Sequence, residues 1–407
     1  MTNPSTLVVV GASLAGAKAA EAARDAGHDG PIVMIGDEPG VPYERPPLSK
    51  AVLRGEAELD VTHVHPDGFY AEHDIELVTD RVTGLDLQAT SVLLDAGEPV
   101  TFDTLVVATG ATPRQLTVPG VELAGVHLLR TAQDAVRLRD AIRAATRVAI
   151  VGAGWIGSEV AASARQMGAD VVLIDPAPTP LHRVLGDEVG AVFRSMHAEH
   201  GVALRMSTGV SALRGVDTVE AVVLDDGSIE AADVVVIGVG VTPRVEIAER
   251  AGLRTDNGIV VDEHLETSVA GIFAAGDVAN AWHPHYQRHL RVEHWANALN
   301  QGITAGRNAA GNRDSYTRLP YFFSDQYDLG LEYVGHGSSD DAVTFRGDRD
   351  SREFIAFWHR DAIITAAMNV NVWDVVDDLK AIIETRSPID LAQLTDPDVP
   401  LADLAGR

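Results

Sequence analysis

A strand, a glycine turn, a helix and a second strand ending on an acid occur in that order twice in this chain, and the repeat constrains its fold more than any other feature. The first copy runs through the β-branched Thr6–Val10, the turn Gly11-Ala-Ser13-Leu-Ala15-Gly16, an alanine-rich helical stretch to Arg24, and the strand Ile32–Ile35 ending at Asp37 and Glu38. The second runs through Arg147–Val151, Gly152-Ala-Gly154-Trp-Ile156-Gly157, the helical Ser158–Met167, and the strand Val171–Ile174 ending at Asp175. Each glycine has a physical task in such a unit. The first allows a tight strand-to-helix turn, the second lets a pyrophosphate approach the backbone, and the third lets helix and strand pack closely. The helix N-terminus offers unpaired N–H groups and the positive end of a dipole to phosphates, and the terminal acid accepts from a ribose hydroxyl. Two such units predict two dinucleotide sites. In the first copy Ser13 stands where the second glycine is usual; serine is small and still permits close approach.

Apolar strands connect and close these units. Leu105–Val107 leads into Ala108-Thr109-Gly110 and Pro113, and Val234–Ile237 leads into Gly238, Gly240 and Pro243. Gly271-Ile-Phe-Ala-Ala-Gly276-Asp277 reads as another strand ending before a helix. The order predicts a second nucleotide domain inserted in the first, with Thr267–Gly276 returning to complete the first sheet. After about residue 325, short strand-like runs (Glu332–His336, Ala342–Arg346, Phe354–His359, Ile363–Met368) and two helical stretches (Val372–Glu384, Ile389–Leu394) predict a small α+β domain. The expected organisation is α/β: residues 1–112 and 246–325 as one Rossmann-like domain, 113–245 as the inserted one, and 326–407 as the C-terminal domain.

Composition narrows the chemistry. The 407 residues carry a formal charge of −27, which disfavours a nucleic-acid partner. There is no cysteine, so a redox dithiol, a disulfide, a cysteine-held zinc and a protein-held iron–sulfur cluster are excluded. No basic segment precedes the apolar N-terminal stretch, and no run approaches the ~20 residues of a membrane span, so a cytosolic protein is expected. His63/His65 and His283/His285 have i, i+2 spacing, but no third ligand is readable and no metal site is assigned.

At several segments the chain resembles the FAD-dependent NADH–ferredoxin reductases of bacterial oxygenase systems. They are Pro42-Tyr-Glu-Arg45-Pro46-Pro47-Leu-Ser49-Lys50, Ala108-Thr109-Gly110, Leu129-Arg130-Thr131, Arg183-Val-Leu-Gly186, Ala274-Ala-Gly-Asp277 and Ser324-Asp325-Gln326-Tyr327-Asp328. The resemblance covers nearly the whole chain and implies an FAD domain, an inserted NADH domain and a C-terminal domain. It implies that Gly11, Ser13, Ala15 and Gly16 form the FAD pyrophosphate loop and that Asp37 binds its adenosine ribose. Lys50 would lie near the isoalloxazine, Val82 at the adenine, Asp277 at the ribityl chain and Trp295 near the flavin. Arg45, Pro47, Ala108, Thr109, Gly110, Arg130 and Glu293 fall in the same FAD set. For NADH the corresponding residues are Gly152, Gly154, Ile156, Gly157, Glu159, Asp175, Arg183 and Gly238, with Glu159 near the nicotinamide and able to pair with Lys50 before NADH enters. The catalytic pair implied is Lys50 and Glu159.

Two positions depart from the family pattern. Phe323 replaces a frequent tryptophan and lacks the indole N–H. Asp175 replaces the more usual glutamate but should still repel a 2′-phosphate; with no Arg or Lys in Pro176–Pro180, NADH is favoured over NADPH.

Without cysteine, the electrons must leave to an external acceptor, and a two-iron or other small iron–sulfur ferredoxin fits. Such a partner is usually acidic, so its dock should be locally basic. From Pro284 to Phe322 there are Arg288, Arg291, Arg307, Arg313 and Arg318, opposed only by Glu293 and Asp314. The expected activity is electron transfer from NADH through FAD to a ferredoxin feeding a monooxygenase or dioxygenase. A rubredoxin reductase, an NADH oxidase, or an NADH-sensing flavoprotein of the apoptosis-inducing-factor type stand as alternatives.

Overall fold

The computed structural model describes residues 5–406, in two compact units, each assembled from three separate stretches of chain. The first takes the stretch ending at Glu44, Asp60–Thr112 and Val241–Pro320; the second takes Arg45–Leu59, Pro113–Gly240 and the chain from Tyr321 onward.

The first unit is built on a five-stranded parallel sheet ordered Ile272–Ala274, Thr104–Val107, Leu7–Val10, Ile32–Gly36, Ile75–Thr79. Its central strands are unbroken apolar runs because both faces of the sheet are buried, with Leu85 and Val92 of an antiparallel hairpin in the same core as the helix residues Ala17 and Ala20. The chain returns where expected, as the edge strand Ile272–Ala274 beside Thr104–Val107. Across this sheet the helix Leu14–Asp25 packs on the helix Trp295–Ala309. Two glycines set their separation: a Cβ on Gly302 would lie 2.4 Å from the Ala15 carbonyl oxygen, and one on Gly306 2.0 Å from that of Ala19. The helix expected directly after Asp277 is absent. Gly276, at φ +80°, turns the chain through one 3-10 turn into the strand Ala279–His283, which pairs with Ile259–Val261 and Arg288–Leu290.

The second unit repeats the parallel pattern in the order Ala203–Met206, Asp170–Asp175, Arg147–Val151, Val234–Ile237, Val126–His127. Its other layer is an antiparallel sheet ordered Tyr321–Gln326, Leu329–Gly335, Ile363–Val370, Glu353–Arg360, Ala342–Asp348. The helix His182–Glu199, kinked at Gly186, buries Leu185, Phe193 and Met196 in one cluster with Phe354, Trp358 and Met368 of that sheet. The four strands read from the sequence are present. A fifth, Tyr321–Gln326, forms the edge, so the sheet begins ahead of residue 326. The helix expected from Val372 begins at Val376, because Asn371 and Asp374 take left-handed φ of +50° and +63°. No helix among the described residues is long and apolar enough to cross a membrane.

Candidate functional site

Both glycine turns lie at the carboxyl end of the central strand of a parallel sheet, where the strand order reverses, the place at which such sheets bind ligands. In the first unit Gly11 has φ +121°, and a Cβ there would lie 2.1 Å from the Ala108 carbonyl oxygen. A Cβ on Gly16 would lie 1.9 Å from Gly11 O. The same contacts recur in the second unit: Gly152 (φ +104°) against Gly238 O at 2.4 Å, and Gly157 against Gly152 O at 1.8 Å. First and third glycines are thus demanded by the chain's own packing.

The middle position is different. Gly154, the N-cap of the helix Trp155–Gln166, has an ordinary φ of −75°, and a Cβ on it would meet no protein atom within 4 Å. Nothing in the fold requires glycine there, whereas a phosphate group seated on the helix N-terminus would. Ser13 holds the equivalent place before Leu14–Asp25, and its hydroxyl makes no capping hydrogen bond. Both cradles therefore fit a pyrophosphate.

The acids are engaged differently. Asp37 is half exposed, with Oδ2 3.3 Å from Arg244 Nη1. Asp175 is turned back onto its own loop, its Oδ2 accepting from the Ala153 N–H at 2.6 Å and its Oδ1 from the Ala177 N–H at 2.8 Å. A carboxylate keeps further lone pairs for a ribose hydroxyl.

The remaining sequence-predicted residues of the first unit have definite places. Ala15 is buried in the helix Leu14–Asp25 and packs at Gly276 and Gly302. Val82 is half-buried in the strand Val82–Asp86. Ala108 is buried and donates its N–H to Val10 O; Thr109 Oγ1 donates to Arg244 O at 2.8 Å; Gly110 takes φ +69°. Asp277 lies in the turn Gly276–Val278, and its carbonyl accepts from Arg291. Glu293 forms an ion pair with Arg291 at 2.5 Å, and Trp295 opens the helix Trp295–Ala309.

In the second unit, Ile156 and Arg183 are exposed, while Gly238 supplies the carbonyl that packs on Gly152. Arg45 donates to Arg130 O, and Arg130 leads into a capping box of Thr131 and Asp134 that starts the helix Ala132–Ala144. Pro47 lies in the one-turn helix Pro46–Ser49, and its carbonyl accepts the Lys50 N–H.

Glu159 is held from three sides. It lies on the buried face of the helix Trp155–Gln166, and its side chain is 6% exposed. Lys50 Nζ lies 2.8 Å from Oε2, Ser49 Oγ donates to Oε2 at 2.5 Å, and Ser324 Oγ donates to Oε1 at 2.7 Å. One turn along the same helix, Ser163 Oγ donates to Ser49 O at 2.7 Å and ties the Pro46–Ser49 turn to it. Beyond Ser324, Gln326 Nε2 donates to the serine oxygen and Gln326 Oε1 lies 3.1 Å from Nε2 of the fully buried His197. Burial pushes the Asp325 carboxyl above its usual range, with Glu159 adding to the shift and Lys50 opposing it. Ser49, Ser324, Gln326 and His197 carry no role in the sequence reading. The first three lie in segments it singles out, but their convergence on one carboxylate is a product of tertiary folding.

No group of three or more His, Asp or Glu residues among the described residues is placed to hold a metal. His283 Nε2 instead lies 3.0 Å from Arg318 O.

Residues 5–302 match the family described as pyridine nucleotide-disulphide oxidoreductase, and residues 321–405 match the reductase C-terminal domain. The chain is 37% identical to rhodocoxin reductase of Rhodococcus erythropolis over 97% of its length and 93% of the relative's. It is 40% identical to the ferredoxin–NAD(+) reductase component of the anthranilate 1,2-dioxygenase system of Burkholderia cepacia, over 97% and 98%. Among solved structures, the covalent putidaredoxin reductase–putidaredoxin complex superposes with a TM-score of 0.95 at 34% identity, covering 100% of this chain and 99% of that one. A ferredoxin reductase from Rhodopseudomonas palustris gives the same TM-score and identity, over 98% and 100%. With two glycine cradles of one geometry, and relatives matched along almost the entire length, the chain belongs to the pyridine nucleotide-disulphide oxidoreductase family and is an oxidoreductase.

Proposed function

We propose that this chain is a cytosolic FAD-dependent NADH–ferredoxin reductase supplying a monooxygenase or dioxygenase, with FAD on the first cradle and NADH on the second. The observation that carries the reading is the pair of equivalent cradles in a chain without a single cysteine. Flavoenzymes of this fold that reduce a disulphide pass electrons to a cysteine pair of their own; with no cysteine in this chain, the electrons must leave to a partner. FAD, when bound, accepts a hydride from NADH and releases electrons one at a time. The protein's part is to hold both nucleotides on helix N-termini, to orient them, and to bring Lys50 and Glu159 to the reaction.

Asp175 is proposed to select NADH by repelling a 2′-phosphate. For the ferredoxin, the exposed Arg288, Arg307, Arg313 and Arg318 offer positive charge on an acidic protein. Arg291 is withdrawn from that set, since its side chain is 7% exposed and engaged by Glu293 and the Asp277 carbonyl. Arg307 is paired to Asp314 at 2.5 Å, which leaves Arg313 and Arg318 as the better test positions.

Stopped-flow bleaching of the flavin at about 450 nm tests the whole reading. Fast bleaching by NADH, slow bleaching by NADPH and rapid reoxidation by a two-iron ferredoxin are expected. Bleaching without reoxidation by ferredoxin would move the protein to an oxidase or a sensor, and no bleaching would sink the assignment of the cradles. Arg313→Glu or Arg318→Glu should raise KM for ferredoxin and leave reduction of a small dye unchanged. Equal effects on both acceptors would remove the docking surface from the proposal.

A further inference from the structure

Glu159 has more donors than an ion pair needs. A buried carboxylate with one ammonium partner is stranded when that partner leaves, and stranding a buried charge is among the costliest events in a protein interior. Here two hydroxyls from distant parts of the sequence converge on the same carboxylate as Lys50. Ser49 reaches Oε2 at 2.5 Å and Ser324 reaches Oε1 at 2.7 Å, and both serines are almost wholly buried. Each is itself held from behind. The Ser49 carbonyl accepts from Ser163, and the Ser324 oxygen accepts from Gln326, which in turn meets His197. Lys50 is held more loosely. Apart from Glu159, its ammonium reaches, among the described residues, only the Pro46 carbonyl, at 3.3 Å, on a long flexible side chain.

We infer that Ser49 and Ser324 are the permanent partners of Glu159 and Lys50 its exchangeable one: the two hydroxyls keep the carboxylate solvated by protein, so that the ammonium can detach and re-pair as charge develops during flavin reduction. Ser49 and Ser324 are thus positioning residues, acting through Glu159. The inference rests on the reading of Lys50 and Glu159 as the groups that serve that step. It adds that their exchange is set by two serines that touch neither nucleotide cradle's glycines nor its terminal acid. Hydroxyl hydrogen bonds suit this duty, because they strengthen when the carboxylate loses its counter-charge and weaken when the counter-charge returns.

The test uses the oxidised holoenzyme and an amine-acetylating reagent read by mass spectrometry. The chain has three lysines, Lys18, Lys50 and Lys380, so Lys50 can be scored against the half-exposed Lys380 in the same molecule. In Ser49→Ala/Ser324→Ala, Glu159 depends on Lys50 alone, and the Lys50-to-Lys380 labelling ratio should fall about fivefold or more. In the same variant the limiting rate of flavin bleaching at saturating NADH should fall about tenfold while the Kd for NADH changes less than about threefold. Ser324→Thr, which keeps a hydroxyl, should restore both readouts relative to Ser324→Ala. An unchanged labelling ratio in the double variant, or a threonine variant no better than alanine, overturns the inference. Should the wild type fail to bleach with NADH at all, the functional reading falls, and the labelling ratio still decides whether the serines hold Lys50 exchangeable.

Discussion

At Gly154 and Gly157 the same residue type answers to different masters. A methyl group at 157 would drive into the Gly152 carbonyl at 1.8 Å, so Gly157→Ala should cost several kcal/mol, about 3 or more, and give little folded protein. Gly154→Ala meets open space and should lower stability by only about 1 kcal/mol through its N-cap position, yet weaken NADH binding roughly tenfold or more. Melting temperature and NADH titration separate the two outcomes. Asp175→Asn keeps an acceptor for Ala153 but drops the charge. Removing about 1 kcal/mol of repulsion should raise kcat/KM for NADPH about fivefold, and an unchanged NADPH/NADH ratio would clear Asp175 of selectivity. His197 is a residue of the same buried line, and burial pushes its imidazole down to about 4. Between its ordinary value near 6.5 and 4 the unfolded chain takes up a proton that the native protein refuses. Stability present above pH 6.5 is therefore lost as the pH falls, by about 2 kcal/mol at pH 5. The Tm advantage of wild type over His197→Gln should narrow from pH 7 to pH 5. A constant gap would mean that His197 does not titrate in that window.

Among the elements, the helices Leu14–Asp25 and Trp295–Ala309 depend on glycine to cross closely. Gly306→Ala would press a methyl on the Ala19 backbone and push the first helix off the second, at about 1–3 kcal/mol. Because that helix begins at the first cradle, the variant should purify with less than stoichiometric FAD, measured by the ratio of 450 to 280 nm absorbance. Full flavin loading would show that the cradle tolerates the shift. The parallel strands were legible because their apolar runs sit between glycine turns and acids, signals that are local. The edge strand Tyr321–Gln326 was not, since its alternate residues face Glu159 and the core of a sheet whose other strands come later in the chain. The stretch after Asp277, expected to open a helix, is a strand for a related reason: only its pairing with Ile259–Val261, twenty residues upstream, makes it one. Ser49 and Ser324 illustrate the limit at the site. Each is an unremarkable serine in its segment, and only the fold brings both to one carboxylate.

For the whole molecule, charge is the governing quantity. At −27 the chain repels an acidic partner except where positive side chains gather, so docking should rely on a small patch and be sensitive to salt. Raising ionic strength from about 50 to 300 mM should slow ferredoxin reduction several-fold at sub-saturating ferredoxin and leave NADH-driven bleaching nearly constant. Equal slowing of both steps would point away from an electrostatic dock.

The interleaving of the two units has a consequence for how the chain comes off the ribosome. The sheet begun by Leu7–Val10 lacks its edge strand until Ile272–Ala274 has been made, whereas every strand of the second unit's parallel sheet lies between Val126 and Ile237. Synthesis at about 5–20 residues per second thus delivers the later-starting sheet first, and the earlier segments must wait unfinished while it assembles. A nascent chain arrested near residue 285, so that Val234–Ile237 has left the ribosome while Ile272–Ala274 is still inside it, should already protect the second glycine turn from protease and leave the first one open.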